Sequence, residues 1–322
     1  MHRFIVAGCA ALLSACGGQP PAAGAPAGSG AESQVQNIAG DFVAVFDATA
    51  GEQPNARVAA FKRDVAVRFP AFYGIERFEG SYSREQQDAR IARAFEQFPR
   101  IRDAYVGKVA QFDRELDRNL DSFRAAFPDF EFSTPVVLLH SLGELDGGPR
   151  ELEGRTYLVF GADVMAWVHD WDDEAPFFHH ELFHVHHDRF FEECEALWCA
   201  LWAEGLAVYV ASRLNPDAGE PALLLTYPDD MAEATRRQLK PSLAHLQTVL
   251  SSTDEDVYSA LFNAEQDDTG LPPRRGYYLG YLVAQELGRE RSLPELAELP
   301  NQDAEGMIER AVAALLSREP DD

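Results

Sequence analysis

The sequence predicts an α+β fold, mainly helical, with a small sheet set between two helical stretches. Three observations lead there. From about Gln36 to Phe127 apolar residues recur at helical spacing, between Pro135 and Gly161 they gather into short continuous runs, and beyond Asp170 the helical spacing returns. A chain of 322 residues with 46% hydrophobic content can bury a substantial core, in one large domain or two small ones.

The first segment, "MHRFIVAGCAALLSAC", has a basic start at Arg3, an apolar run from Phe4 to Leu13 and small residues leading to Cys16. Such a run is too short to span a bilayer, which takes about 20 residues, so residues 1–15 are expected to be a cleaved signal peptide. The tetrad Leu13-Ser14-Ala15-Cys16 resembles the lipobox of bacterial lipoproteins. That resemblance implies lipidation at Cys16 and anchoring to a membrane of the cell envelope. Gly17 in place of Asp favours the outer membrane, facing the periplasm. Residues 16–35 are mostly Gly, Ala, Pro and Ser, which cannot bury enough surface to offset ordering, and form a flexible tether.

Residues 36–130 then read as a helical region, with strong periodicity in "DFVAVFDA", "ARVAAFKRDVAVRF" and "IRDAYVGKVAQFDRELDRNLDSFRAAF" and a stop at Pro128. In the second region, 131–322, "TPVVLLHSLG" predicts a strand. "GELDGGPRELEG" is polar and turn-rich, and "RTYLVFGADVMAWV" predicts a second strand broken at Gly161. The stretch from Tyr157 to Ala162 is expected to be an edge that could pair with an extended substrate. Helices follow at roughly 176–190, 196–213, 230–250, 276–289 and 303–317.

The formal net charge of −25 would repel phosphate backbones, so no nucleic-acid partner is expected. Apart from Cys16 and the signal segment, the cysteines are Cys194 and Cys199, open to a disulfide or to two buried thiols. On one continuous helix a spacing of five would turn the two side chains to different faces.

The chemistry concentrates in "FFHHELFHVHH", which holds five of the nine histidines. Only His180 and His184 are four apart with Glu181 directly after the first, giving H-E-L-F-H. On a helix these two imidazoles share a face and can converge on one cation. Glu181 is rotated about 100° away, so its carboxylate stands beside the open position instead of on the metal, where a general base belongs. Pro176 supplies a helix start, with Asp172, Asp173 and Glu174 near its positive end. Further on, "LWAEGLAVYVASRL" places Glu204 in an apolar helix among Leu201, Trp202, Leu206 and Val210. A carboxylate there needs a partner, and a cation shared with the histidines is the natural one. His179, His186 and His187 fall on other faces and are expected to be surface residues or supports of the ligands.

H-E-x-x-H followed by Glu204 resembles the gluzincins, the thermolysin-like zinc metallopeptidases. More narrowly, Glu204-Gly205-Leu206-Ala207 with the later "GYYLGYLVAQEL" resembles a bacterial family of predicted zinc-dependent proteases. The resemblance covers roughly residues 155–290. It implies a zincin-like active-site helix followed by a second, ligand-bearing helix. The pattern H-E-x-x-H-x-x-G-x-x-H does not apply, because positions 187 and 190 are His and Phe. Thermolysin-type enzymes carry an Asp four residues after the ligand Glu, whereas this chain has Val208. Orientation of the ligands then falls to Asp188 or to the acidic run at 170–174, or is absent.

These readings predict one zinc ion on His180, His184 and Glu204, hydrolysing peptide or protein substrates through an activated water, with Glu181 as general base. Tyr277 or Tyr278 is the expected donor to the oxyanion, on a helix whose Gly276 and Gly280 permit close approach to a neighbour. Arg274 and Arg275 are candidates for a substrate carboxylate. The alternative is an anchored lipoprotein that binds zinc as a scaffold and cleaves nothing. An intact Glu181 and a ligand set of three instead of four argue against it.

Overall fold

The computed structural model describes residues 35–78, 80, 82–169, 174–192, 194–263 and 267–318. The expected signal peptide, Cys16, the tether up to residue 34, and Asp170, Asp172 and Asp173 lie outside the described residues. The fold is α+β, with one four-stranded sheet and fourteen α-helices among the described residues. None of those helices is long and apolar enough to cross a membrane.

The chain opens on β1 (Val35–Asn37) and continues through α1 (Ala39–Ala48), α2 (Pro54–Asp64), α3 (Pro70–Tyr73), α4 (Arg84–Gln97) and α5 (Arg102–Ala126). Helix α4 starts on a Ser83/Gln86 capping box. Helix α5 buries Tyr105, Phe112, Leu116, Leu120 and Phe123, one stripe at helical spacing. That stripe lies against the helices of the second region, so the two regions share one core. They also share the sheet, because β1 pairs in parallel with β2 (Val136–Leu139).

Strands β3 (Gly147–Leu152) and β4 (Arg155–Gly161) complete the sheet in the order β1-β2-β4-β3. Strand β2 is buried along its whole length, as its unbroken apolar run requires of a central parallel strand. Two expectations need correction here. The segment read as turn-rich contains β3, antiparallel to β4 and joined to it by Glu153 and Gly154, both at positive φ as in a tight two-residue hairpin. Gly147 serves packing: a Cβ there would lie 2.6 Å from the Phe177 ring and 3.1 Å from Glu181 Cγ. Strand β4, expected at an edge, is internal, and the edge is β3, where Pro149 is tolerated.

After β4 come α6 (Ala162–Val168), α7 (Ala175–His187) and α8 (Leu197–Leu214). Then follow α9 (Met231–Arg237), α10 (Leu239–Val249), α11 (Glu255–Phe262), α12 (Arg275–Leu287), α13 (Leu293–Ala297) and α14 (Asn301–Arg318). The stretch expected as one helix over 230–250 is divided at Gln238, and α11 and α13 are not among the expected helices, although Ser292 and Glu295 form a capping box at the start of α13. Cys194 and Cys199 form a disulfide with Cα atoms 5.7 Å apart. They can meet because α8 begins at Leu197, leaving Cys194 outside the helix.

The closest crossing is between α8 and α12. A Cβ on Gly205 would sit 2.2 Å from the carbonyl carbon of Gly280, and one on Gly280 would sit 2.4 Å from the carbonyl oxygen of Leu201. The two helices therefore meet main chain to main chain. This contact brings the helix carrying Glu204 beside the helix carrying Tyr277.

Candidate metal centre

Helix α7 starts with Pro176 in its first turn and packs on α8, on α5 and against β3. One face of it presents His180 and His184, with Nε2 atoms 3.0 Å apart. From α8, Glu204 Oε2 lies 3.3 Å from His180 Nε2 and 3.6 Å from His184 Nε2. Donors placed tetrahedrally around a zinc ion at its usual bond lengths stand about 3.3–3.4 Å from one another, and this triangle has that size. Among the described residues this is the group of metal-ligating side chains whose donor atoms converge. Glu204 Oε2 is buried without a well-formed hydrogen bond, an orphan that two imidazole nitrogens and a shared cation would explain. The chemistry of the donor set and the spacing both fit zinc. The three side chains keep 12–16% exposure, which leaves a side open.

Burial favours the neutral ring at His180 and holds its pKa below the ordinary value. At His184 burial acts the same way, but Glu204, then Glu181 and Asp188, outweigh it and push the ring up to about 9. Burial likewise opposes charge on Glu204, yet His184 and His180 hold its carboxyl far below the usual range. The site thus gathers an anion and positive charge at one spot. Glu181, on the adjoining face, is 3% exposed, and its Oε2 has no hydrogen-bond partner. Burial pushes it up to about 8.

His180 and Glu181 line a cleft of about 660 Å³ together with Asp146, Tyr227, Arg274 and Tyr277. Val168, Phe177, Val208, Leu223 and Leu224 form its apolar walls. Val208, where a thermolysin-type chain would carry Asp, is part of that wall. Asp188 caps the end of α7, its N–H donating to the His184 carbonyl.

The two tyrosines part company. Tyr277 lines the cleft, while the Tyr278 hydroxyl accepts from Arg236 Nε at 3.0 Å, away from the cleft lining. The arginines part as well. Arg275 is fully buried and donates to the carbonyls of Ala260 and Pro272 and to Asp267. Arg274 faces the cleft.

The other histidines of α7 are buried, so the expectation of surface positions is corrected. His179 bridges Ser122 Oγ of α5 at 2.7 Å and Asn215 Nδ2 at 2.8 Å. His186 sits among Phe123, Phe127, Phe130 and Phe190, and His187 is stacked between Phe183 and Phe191. Ser122 and the Phe123, Phe127 and Phe130 rings come from α5 and the loop after it, which local spacing does not reveal, whereas the rings on His187 are four residues to either side of it.

Two cleft residues went unnoticed in the sequence. Tyr227 follows α8 in a loop whose only cue is "TYPDD". Asp146 stands just before β3, and its Oδ2 lies 3.1 Å from His169 Nε2. His169 in turn approaches Glu174, which is paired with Lys108 of α5 at 2.8 Å. This chain of polar contacts ties α5 to the rim of the cleft. Comparison with known protein families, with curated proteins and with solved structures finds no match for this chain, so a functional reading rests on the residues themselves.

Proposed function

We propose that this chain is a zinc-dependent metallopeptidase, held by a lipid anchor at Cys16 in the bacterial cell envelope. The observation that carries the reading is the triangle of His180 Nε2, His184 Nε2 and Glu204 Oε2, with sides of 3.0, 3.3 and 3.6 Å, beside a buried Glu181 in a cleft. These three residues would hold the ion. A zinc ion there supplies Lewis acidity, which acidifies water and polarises a carbonyl.

The rest falls to the chain. Glu181 takes a proton from the attacking water and passes it to the leaving nitrogen, as the new C–O bond forms and the C–N bond breaks. Tyr277 donates from its hydroxyl to the carbonyl oxygen as negative charge develops there, and Tyr227 on the same wall is the second candidate. Phe177, Val208, Leu223 and Leu224 exclude water and receive apolar side chains. An extended substrate would pair along the outer edge of β3 and not along β4, which is internal to the sheet.

The experiment is metal analysis of the purified protein, followed by digestion of a peptide library with and without chelator. One bound zinc per chain and cleavage that chelation abolishes are expected. Bound zinc with no chelator-sensitive cleavage of any peptide or protein would point to the scaffold alternative.

A further inference from the structure

Arg274 is 7% exposed and precedes α12 in a left-handed backbone conformation, φ 58°, that a non-glycine side chain adopts at a cost. It lines the same cleft as His180 and Glu181. Among the described residues no hydrogen bond or ion pair reaches its guanidinium, and its Nε is buried without a partner. What surrounds it is aromatic: the guanidinium carbon lies 4.4 Å from the centre of the Tyr277 ring and 5.4 Å from that of Tyr227. Ring faces offset part of the desolvation of a cation but accept none of its planar hydrogen bonds. A buried guanidinium whose fork no described residue uses is complementary to a carboxylate. Arg275 next to it shows the contrast: its Nε is likewise without a partner, but its Nη atoms donate to Ala260, Pro272 and Asp267.

We infer that Arg274 is a specificity-determining residue that binds a carboxylate of the substrate, so that the cleft selects peptides presenting an anion next to an apolar side chain. For its notion of substrate this rests on the peptidase reading. The apolar walls at Val168, Phe177, Leu223 and Leu224 set the second half of the preference. The carboxylate has two possible sources, the C-terminus of a peptide or an acidic side chain. In the first case the enzyme trims peptides from their carboxyl end, and in the second it cuts within them.

The test is calorimetric binding to the metal-free protein, which removes any direct contact between ligand and zinc. N-acetyl-leucine, N-acetyl-leucinamide and the α-amide of N-acetyl-aspartate are the probes. Either carboxylate should bind at least tenfold more tightly than leucinamide, as charge-assisted hydrogen bonding predicts. Arg274→Gln should erase that preference and Arg274→Lys should keep part of it. Tighter binding of N-acetyl-leucine assigns the anion to a C-terminus, and tighter binding of the aspartate amide assigns it to a side chain. Equal binding of acid and amide by the wild-type protein overturns the inference, and so does a carboxylate preference that survives Arg274→Gln. If Arg274-dependent binding is found while the zinc-loaded protein cleaves nothing, the anion site stands and the peptidase reading falls.

Discussion

Two sets of histidines on α7 carry the same side chain in opposite roles. His180 and His184 turn their Nε2 atoms toward Glu204 at 3.3 and 3.6 Å, and His180 also lines the cleft. His186 and His187 are instead enclosed by phenylalanine rings, and His179 is spent on Ser122 and Asn215. The number of histidines therefore says little. What distinguishes them is the group opposite: a buried carboxylate faces His180 and His184, and phenyl rings face His186 and His187.

The largest effect should come from the acid beside the histidine pair. Glu181→Gln is expected to lower kcat by roughly 10³-fold while one zinc per chain remains, measured by peptide hydrolysis and metal analysis. If the variant keeps full activity, the division of labour on α7 is wrong. Next is the carboxylate opposite the ligand face. Glu204→Ala should weaken zinc binding by more than about a hundredfold in a chelator competition, whereas His186→Phe should leave it unchanged.

A third measurement addresses the enclosed histidines. His187 is pushed down to about 3, first by burial and then by His184 and His186, while the unfolded chain titrates near about 6.5. The unfolded state therefore binds the proton first, and stability is lost as pH falls from about 6.5 toward about 3. Between pH 8 and pH 5 this one group should cost about 2 kcal/mol, so His187→Leu should flatten the decline by that much in denaturant titrations. Burial also lowers His140 and His186, which adds to the same trend. The smallest effect belongs to Ser122→Ala. Losing the bond to His179 should reduce stability by about 1 kcal/mol, with zinc content and turnover intact.

Much of the ligand face was legible because its signal is local. The spacing of His180, Glu181 and His184 is a property of one helix, and Glu204 stood out as an acid in an apolar run. The close approach at Gly280 was likewise visible as small residues on a helix face. The enclosure of His186 was not legible, since the rings around it include Phe123, Phe127 and Phe130, more than fifty positions upstream. Strand β3 was hidden because Gly147 and Gly148 look like turn residues, although Gly147 serves the contact with α7. The disulfide could not be read from spacing without knowing that α8 starts only at Leu197.

The Gly205–Gly280 crossing has a consequence for tolerance to change. Where two rods touch through their peptide groups, the gap between their axes does not depend on the bulk or rotamer of any side chain. Ordinary drift among the surrounding leucines and valines can then proceed without shifting the acid of α8 relative to the tyrosine of α12. A single methyl at either glycine would spread both rods at once.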